Sequence, residues 1–408
     1  MKKISHRYVR KTAAGVVALS MLCAAAIPSV LAMPAGAASA SGDLNGDGSV
    51  TAADVAILQT SLLGGTALTA EQYANADVTG DGAVDGLDLT RLRQMAAVVP
   101  VSDAIAIHLS DSGITVEGDT KGVTAVSGKA VTISASGNYT VDGSITDGQI
   151  LVNIPDTTAD SDAVSLYLQD VTMTSSNGAP CILGQSAKKL KLTCSGENTL
   201  TDTAAEANAD TSGVIYGDCD ITVTKNSTGT LNITSSMNTA IRSKDDIKLN
   251  GGAVVINTDV DDTSDADAIR ANNTLEVDGA SVSITSSADG LKSSKEDVSI
   301  LSGKVSIKVG NDAVQAATAL NISGGTVIAS GDRGFTLDEN GTLAITGGDV
   351  LATATDYAFG MDSSGAAVTV DTSGCTQGVV QLDYAAEWKK SNAVTLKKGS
   401  DTVFEMTP

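Results

Sequence analysis

The chain has 408 residues, of which 48 are Asp or Glu and 26 are Lys or Arg, so its formal net charge is −22 at pH 7. A surface this acidic excludes nucleic acid as a partner, because binding a phosphate backbone requires clustered Lys and Arg. Thirty-nine of the acidic residues are Asp, a short carboxylate that suits turns and calcium-binding loops.

The first 40 residues have the order of a secretory signal. A basic segment from Lys2 to Lys11 precedes an apolar run at residues 13–32, and small residues follow near Ala37 and Ala40. We expect residues 1–40 to be removed on export, which changes the formal charge to −27. No later apolar run is long enough to cross a bilayer. The mature protein is therefore expected to be extracellular and not held in a membrane.

Two segments repeat at an offset of 34 residues: DLNGDGSVTAAD at 43–54 and DVTGDGAVDGLD at 77–88. Both place oxygen ligands at the spacing of a calcium-binding loop, with Gly at the sixth position for the sharp turn. Ser49 and Ala83, at the seventh position, would contribute their backbone carbonyls. The predicted calcium ligands are Asp43, Asn45, Asp47, Ser49 and Asp54 in the first loop and Asp77, Thr79, Asp81, Ala83 and Asp88 in the second.

A helical pattern follows each loop. Val55, Leu58 and Leu62 form one apolar stripe, and Leu89 and Leu92 begin the other. No helical pattern precedes the first loop, and the twelfth position of both loops is Asp, where an ordinary EF-hand prefers Glu. These features distinguish the duplicated segment from a pair of EF-hands.

A duplicated calcium loop with one following helix and Asp at the twelfth position resembles a dockerin, here over residues 41–98. Dockerins bind cohesin modules on the scaffoldin proteins of cellulosomes. The resemblance implies that loop positions 10 and 11, which are Ala52-Ala53 and Gly86-Leu87, contact the cohesin. The two pairs differ, which argues against two equivalent binding orientations, and Thr79 implies a weaker second calcium site. A calcium-stabilised fold without a partner is the alternative.

Residues 99–104 are expected to form a linker, and the pattern changes after them. Short alternations such as Val282-Ser283-Ile284 predict strands separated by tight turns. A small residue followed by an apolar one recurs every 21 to 28 residues: Ala240-Ile241, Ala268-Ile269, Gly290-Leu291, Ala313-Val314, Gly334-Phe335 and Ala358-Phe359, with a weaker example at Gly213-Val214. Recurrence of this kind predicts a parallel β-helix over residues 105–408. A pair of β-sandwiches is the alternative and does not explain the repeat.

The same stretch resembles the carbohydrate-binding domain family of secreted proteins from anaerobic degraders of plant fibre. The features that match are the Asp-Ala-Ile, Asp-Gly-Leu and Asp-Ala-Val starts of the coils and the Gly-Gly turns, as in Leu249 to Val254. The resemblance implies a right-handed parallel β-helix related in shape to pectate lyases. It also implies binding of calcium and of acidic or cellulosic polysaccharide. The overall expectation is thus an all-β chain with a small α-helical dockerin at its N-terminus.

Alignment of the coils on their anchors predicts a column of three carboxylates, Asp267, Asp289 and Asp312. Each lies two residues before an anchor, so the side chains should stack at about 4.8 Å. Carboxylates this close repel each other unless a cation lies between them, and calcium is the cation expected outside the cell. The alternative is a ladder of Asp turns that cap backbone amides. Arg333 occupies the same position in the next coil.

A column of basic residues, Arg242, Arg270 and Lys292, follows the anchors by one position. Beside calcium, such a column could hold an acidic polysaccharide, since Arg gives paired hydrogen bonds to carboxylates. Ion pairs with the Asp column are the alternative. Arg270 and Lys292 are also the candidates for the base of a β-elimination lyase.

Four cysteines lie beyond the signal segment: Cys181, Cys194, Cys219 and Cys375. Their spacing matches no zinc site. Disulfides, which an extracellular compartment allows, and buried thiols both remain open.

The sequence therefore favours a secreted cellulosome component. Its dockerin would bind a scaffoldin cohesin through calcium-folded loops, and its β-helix would bind plant cell-wall polysaccharide without catalysis. A calcium-dependent pectate lyase and a structural or adhesive surface protein are the alternatives.

Overall fold

A computed structural model describes residues 42–46, 50, 52–79, 82–96, 104–208, 210–258, 266–338, 340–354, 371–377, 394–398 and 401–406. None of the helices in these ranges has the length and apolar character needed to cross a membrane. The predicted signal segment at residues 1–40 lies outside the described residues, as do the ligand candidates Asp47, Ser49 and Asp81.

Three helices lie in the duplicated segment: α1 (Ala52–Leu62), α2 (Ala70–Ala76) and α3 (Gly86–Ala96). Helices α1 and α3 follow the two loops, as predicted. They meet in a small core in which Leu58 and Leu92 are fully buried, with Leu44 and Ala76 beside them. The helices therefore fold back on the loops and form one packed unit, because no single helix here buries its apolar stripe alone.

Helix α2 was not expected from the sequence. Thr69 caps its N-terminus by accepting a hydrogen bond from the backbone N–H of Gln72, and the Gln72 side chain accepts one from the Thr69 N–H. This reciprocal arrangement is a capping box, and a Thr followed three residues later by Gln is its sequence signal. The apolar stripe that identified the other two helices is missing in a helix of seven residues.

Most of the rest of the described chain is a β-solenoid, a stack of strands with parallel pairing between successive coils, as predicted. A ten-stranded sheet forms one side of the coils, and a 16-stranded sheet forms the remainder. The ten-stranded sheet contains β3 (Thr124–Ser127), β4 (Ala130–Ile133), β6 (Gln149–Asn153), β8 (Ile182–Ser186), β11 (Ile215–Gly217), β14 (Ile241–Ser243), β17 (Ile269–Ala271), β19 (Leu291–Ser293), β21 (Asp312–Ala316) and β24 (Arg333–Leu337).

The larger sheet carries the long strands that bend around a corner of the solenoid. It contains β1 (Ile105–Ser110), β2 (Gly113–Glu117), β5 (Gly137–Thr146), β7 (Val164–Ser175), β9 (Lys189–Ser195), β10 (Glu197–Asp202), β12 (Asp220–Val223), β13 (Thr230–Ser235), β15 (Ile247–Leu249), β16 (Ala253–Thr258), β18 (Leu275–Ser286), β20 (Val298–Val309), β22 (Ala319–Ile322), β23 (Thr326–Gly331), β25 (Thr342–Ile345) and β26 (Asp349–Ala354). A separate antiparallel hairpin consists of β27 (Val394–Lys398) and β28 (Asp401–Met406).

The anchors of the repeat form an interior ladder of aliphatic side chains. Ile241 pairs with Ile269, which pairs with Leu291 and then with Val314, and all four are fully buried. The same ladder continues backwards to Ile215, not to Val214. The expectation of an anchor at Gly213-Val214 was therefore wrong by one residue, because the longer connection between β10 and β11 breaks the regular spacing.

Glycines form the corner at which β18 and β20 bend. Gly279 and Gly303 have φ values of +100° and +96°, a region that side chains rarely adopt. A Cβ on Gly303 would also collide with the carbonyl oxygen of Ala280 in the preceding coil. The Gly-rich turns of the sequence thus mark the positions where neighbouring coils approach most closely.

All four cysteines after the signal segment are free thiols. Cys181, Cys194 and Cys219 are buried inside the solenoid, and burial raises the pKa of each to about 12. Buried thiols of this kind are unreactive components of an apolar core. Of the two alternatives, the structure thus favours the buried thiols.

Candidate functional site

The first predicted calcium loop is organised by two buried carboxylates. The Asp54 side chain lies at the start of α1 and accepts hydrogen bonds from the backbone N–H groups of Leu44 (2.8 Å) and Asn45 (3.0 Å). Asp43 accepts one from the Gly46 N–H at 2.7 Å. Both carboxylates are almost fully buried. Burial of two carboxylates in so short a segment is costly unless a cation or hydrogen bonds compensate for it.

Helix α2 supports this loop from the other side. The Gln72 side chain donates to the Leu44 carbonyl at 2.9 Å, and the Asn75 side chain donates to the Asp43 carbonyl at 2.9 Å. The N–H of Gly42 donates to the Asn75 carbonyl. Sequence reasoning missed Gln72 and Asn75, although the capping box at Thr69 would have indicated the helix that positions them.

The second loop is held together by hydrogen bonds to the Asp88 side chain. Its carboxylate accepts hydrogen bonds from the Thr79 N–H (3.1 Å), the Thr79 hydroxyl (2.9 Å) and the Asp85 N–H (2.9 Å). Burial acts to raise the pKa of Asp88, but these hydrogen bonds outweigh it and lower the pKa. Asp77 accepts from the Gly82 N–H at 3.0 Å. The loop thus holds Asp88 in its ionised form, the form that binds a cation.

The donor set of both loops fits calcium. Asp43 and Asp54 in the first loop and Asp77 and Asp88 in the second are hard oxygen ligands at the two ends of a 12-residue loop. Asn45, Thr79 and Ala83 lie on the same loops. These residues would hold the ion, and the ion would supply the positive charge that lets Asp43, Asp54 and Asp88 remain buried.

The candidate partner-binding positions lie at the starts of two helices. Ala52 and Ala53 open α1, and Gly86 and Leu87 open α3. Leu87 is 64% exposed, and Leu63 just after α1 is 79% exposed. Leu87, one of the predicted cohesin-contact residues, is thus accessible from solvent.

The three predicted Asp residues form one column where β17, β19 and β21, three internal strands of the ten-stranded sheet, begin. The N–H of Ala268 donates to the Asp289 carbonyl, and the N–H of Gly290 donates to the Asp312 carbonyl, both at 2.8 Å. The side chains of Asp267, Asp289 and Asp312 are at most 4% exposed. The column is therefore both stacked and buried.

Basic side chains lie against this column. The Lys292 ammonium is 2.7 Å from Asp289 Oδ2 and 3.7 Å from Asp267 Oδ1. Arg270 Nη1 is 3.5 Å from Asp267 Oδ2, and Arg333 Nε donates to Asp312 Oδ1. These contacts favour the second interpretation of the sequence, in which ion pairs balance the Asp column.

The pKa values reflect this crowding. Burial, followed by repulsion from Asp289, raises the pKa of Asp267 to about 7. Burial acts to lower the pKa of Lys292, but Asp267 and Asp289 outweigh it and raise that pKa. The column thus holds a firmly protonated ammonium beside a carboxyl group that binds its proton unusually well.

The basic residues also form a column, on the outward face of the same strands. Arg242 pairs in register with Arg270, Arg270 with Lys292, and Lys292 with Gln315. Tyr216 precedes Arg242 in this column, and the Lys244 ammonium lies 5.6 Å from the centre of its ring. Sequence reasoning missed Tyr216 because the anchor of its coil was placed one residue too early.

Arg242 differs from the other two basic residues. Arg270 and Lys292 each follow an Asp by three residues, whereas Thr239 occupies that position before Arg242. No ion pair joins Arg242 to a carboxylate within the described part of the chain. The Thr239 hydroxyl and Asp267 Oδ2 are both buried and form no hydrogen bond, which marks this end of the column as polar and incompletely satisfied.

A group of carboxylates that the sequence did not single out lies on another side of the coils. Asp220, Asp245 and Asp246 bring their oxygens within 4.8 Å of one another. Lys189 pairs with Asp220 at 3.2 Å, and the Asp246 carboxylate accepts the Thr274 N–H at 3.0 Å. Burial, with the neighbouring carboxylates, raises the pKa of Asp246.

Comparison with protein families gives two matches. The family described as "Carbohydrate-binding domain-containing protein" matches residues 127–400, and the type I dockerin domain matches residues 41–95. A protein of Acetivibrio thermocellus, also described as a carbohydrate-binding domain-containing protein, is 33% identical over 138 residues. That alignment covers 32% of this chain and 46% of the relative, so it spans about half of the relative's length.

One solved structure is similar over the whole of its own length. It is described as "Structure of the polysaccharide lyase-like protein from C. thermocellum, Gadolinium derivative". It covers 60% of this chain with 22% sequence identity and a TM-score of 0.47.

Proposed function

Since the chain belongs to the family of carbohydrate-binding domain-containing proteins and carries a type I dockerin domain, we propose that it is a non-catalytic polysaccharide-binding component of an extracellular cellulosome. The proposed organisation is a signal peptide at 1–40, the dockerin at 41–98, a linker at 99–104 and the binding solenoid at 105–408. The dockerin would fix the protein to a scaffold, and the solenoid would hold the scaffold to plant cell wall.

The dockerin is proposed to bind a cohesin once calcium has folded its loops. Calcium would occupy the site of Asp43, Asn45, Asp47, Ser49 and Asp54 and the site of Asp77, Thr79, Asp81, Ala83 and Asp88. Because α1 and α3 begin within these loops, the ion would fix the positions of Ala52, Ala53, Gly86 and Leu87. A cohesin pull-down with and without chelator tests this; binding that is unchanged by chelator contradicts it.

The solenoid is proposed to bind an acidic polysaccharide through the basic column of Arg242, Arg270 and Lys292. The observation that carries this is the register, which sets the guanidinium groups of Arg242 and Arg270 side by side on adjacent strands. The side chains of Arg270 and Lys292 are 20% and 19% exposed. Uronic acid carboxylates along a polymer can accept paired hydrogen bonds from such groups. Arg242 would contribute most, because no ion pair neutralises it within the described residues.

The Asp column is proposed to serve this site by ion pairing. The Lys292 ammonium already lies where calcium would have to bridge Asp267 and Asp289, and Arg333 contacts Asp312. A calcium ion at the column would have to displace these cations. We therefore assign the charge balance of Asp267, Asp289 and Asp312 to the basic side chains.

The same contacts argue against a lyase. A β-elimination base must release its proton near the working pH, whereas the pKa of Lys292 is raised by Asp267 and Asp289. The side chain is also only 19% exposed. The ammonium is therefore better suited to holding carboxylates than to removing a proton from a sugar.

Retention on polygalacturonate, with product absorbance followed in parallel, tests both statements. We expect retention without any growth of unsaturated product, and we expect Arg242→Ala to lower the affinity about tenfold, the loss of roughly 1.4 kcal/mol. Lys248→Ala is the matched control, since Lys248 is a strand cation paired with Glu276 on another face. Equal effects of the two substitutions would show that only net charge matters, and growth of product would show a lyase.

A further inference from the structure

The start of the solenoid contains a pocket of about 220 Å³ that is separate from the two columns. It lies between the turn after β3, the turn after β5 and the turn after β7. Lys129, Asp147, Gln149 and Asn177 line it with polar groups, and Ala130 and Ala179 present methyl groups. The volume is below the range of pockets for drug-sized ligands and suits a single small ring.

Two of the lining amides are held in place and keep one polar atom free. Asn177 Oδ1 accepts the Ala179 N–H at 2.9 Å and the Ser175 hydroxyl at 3.1 Å. Gln149 Nε2 donates to the Pro180 carbonyl at 2.9 Å. In the described part of the chain, Asn177 Nδ2 and Gln149 Oε1 take no part in a hydrogen bond. The pocket therefore offers one fixed donor and one fixed acceptor.

The two charged groups of the pocket are also fixed. The Lys129 ammonium donates to the Thr146 carbonyl at 2.8 Å and pairs with Asp111 at 3.2 Å. Asp147 has a φ of +55° and accepts the Ser176 N–H at 2.7 Å. A left-handed backbone is uncommon at residues other than Gly and is tolerated best by Asn and Asp in turns, so the turn fixes the direction of this carboxylate. The Ser176 hydrogen bonds lower the pKa of Asp147 and so keep it ionised.

We propose that this pocket binds one neutral sugar unit of a polysaccharide. Sugar hydroxyls both donate and accept, which matches a site with the donors Lys129 and Asn177 and the acceptors Asp147 and Gln149. A uronic acid is disfavoured because Lys129 is already paired with Asp111, so the Asp147 carboxylate leaves the group with one net negative charge. The methyl groups of Ala130 and Ala179 suit the C–H face of the ring. The proposal rests on the glycan-binding function of the solenoid but not on the basic column.

Titration of the full chain with methyl β-glucoside, methyl β-galactoside, methyl β-xyloside and the methyl glycoside of galacturonic acid, whose carboxylate is free, tests the proposal when followed by NMR. We expect at least one neutral glycoside to shift the side-chain amide signals of Asn177 and Gln149 saturably, and the galacturonate to bind more weakly. Asn177→Asp keeps the oxygen that caps the turn but loses the free donor, so it should weaken binding about tenfold. Ala179→Leu should block the pocket while leaving its hydrogen bonds in place.

Asn208→Asp is the matched control. Like Asn177 Oδ1, Asn208 Oδ1 accepts two hydrogen bonds, here from the backbone N–H groups of Asp210 and Thr211, in a turn that does not line the pocket. This variant should bind the glycoside like the unmodified chain. The proposal is wrong if no neutral glycoside shifts the pocket signals, if the galacturonate binds best, or if Asn177→Asp and Asn208→Asp behave alike. If the chain is not retained on polygalacturonate but still binds the glycoside, only the proposal for the basic column is wrong.

Discussion

Replacement of Lys292 by Met should destabilise the solenoid strongly. The ammonium is 2.7 Å from Asp289 and 3.7 Å from Asp267, and both carboxylates are about 3% exposed. Removal of one partner of a buried ion pair leaves an uncompensated charge and typically costs about 3–5 kcal/mol. Because the Lys292 side chain keeps some solvent contact, we expect a loss at the lower end of this range, about 3 kcal/mol in the free energy of unfolding. A unit of this size should then melt roughly 6 °C lower.

Thermal unfolding followed by circular dichroism measures this effect. The double variant Lys292→Met with Asp289→Asn should recover most of the loss, because the amide that replaces the Asp289 carboxylate keeps an acceptor for Asn311 while removing the unpaired charge. Lys248→Met is the control. It breaks a partly exposed pair with Glu276, and such pairs contribute about 0–1 kcal/mol.

The experiment also decides which cation balances the Asp column. If the basic side chains do, a chelator should leave the melting of the solenoid unchanged. The reasoning would be refuted if Lys292→Met had the same melting temperature as the unmodified chain and a chelator lowered the melting temperature of the solenoid. Calcium shared by Asp267, Asp289 and Asp312 would then be the better account.

Three further outcomes are expected. The folded-state pKa of Asp267 lies above its unfolded value, so its contribution to stability is complete below about pH 4 and is lost as the pH rises through about 7. The melting temperature of the unmodified chain should therefore fall from pH 5 to 8, and Asp267→Asn should make that fall smaller. An unchanged slope in the variant would contradict the raised pKa. Gly303→Ala should lower the free energy of unfolding, measured by chemical denaturation, more than Gly122→Ala does. Both positions have positive φ, which costs a residue with a Cβ about 1–2 kcal/mol, but only Gly303 has a backbone oxygen where the Cβ would lie. Equal losses in the two variants would contradict the close approach at Gly303. Asp54→Ala should abolish calorimetric calcium uptake at the first dockerin loop, since Asp54 also orders the N–H groups of Leu44 and Asn45; normal uptake would show that the loop is ordered in another way.

The repeat in the sequence predicted the stacking because each coil must present the same small and apolar residues to its neighbours. Ile241, Ile269 and Leu291 therefore stack as expected. Prediction failed where the period is interrupted, at the connection before Ile215. It also failed for α2, which is too short to show a stripe although Thr69 and Gln72 form its capping box. The pocket beside Asp147 was beyond reach, because it is formed by three turns that are distant in sequence.

The sequence did contain a sign of how the two columns interact. Asp267 is followed three residues later by Arg270, and Asp289 is followed by Lys292 at the same distance, so each acidic residue has its own cation on the same coil. In the coil before them Thr239 replaces the Asp, while Arg242 keeps its place in the basic column. An acidic ligand approaching Arg270 or Lys292 must compete with a carboxylate that is already buried beside the cation. At Arg242 no such competitor follows from the coil pattern, and none pairs with it in the described residues. Under the proposed function, the missing Asp therefore makes Arg242 the position at which a polysaccharide carboxylate would gain most.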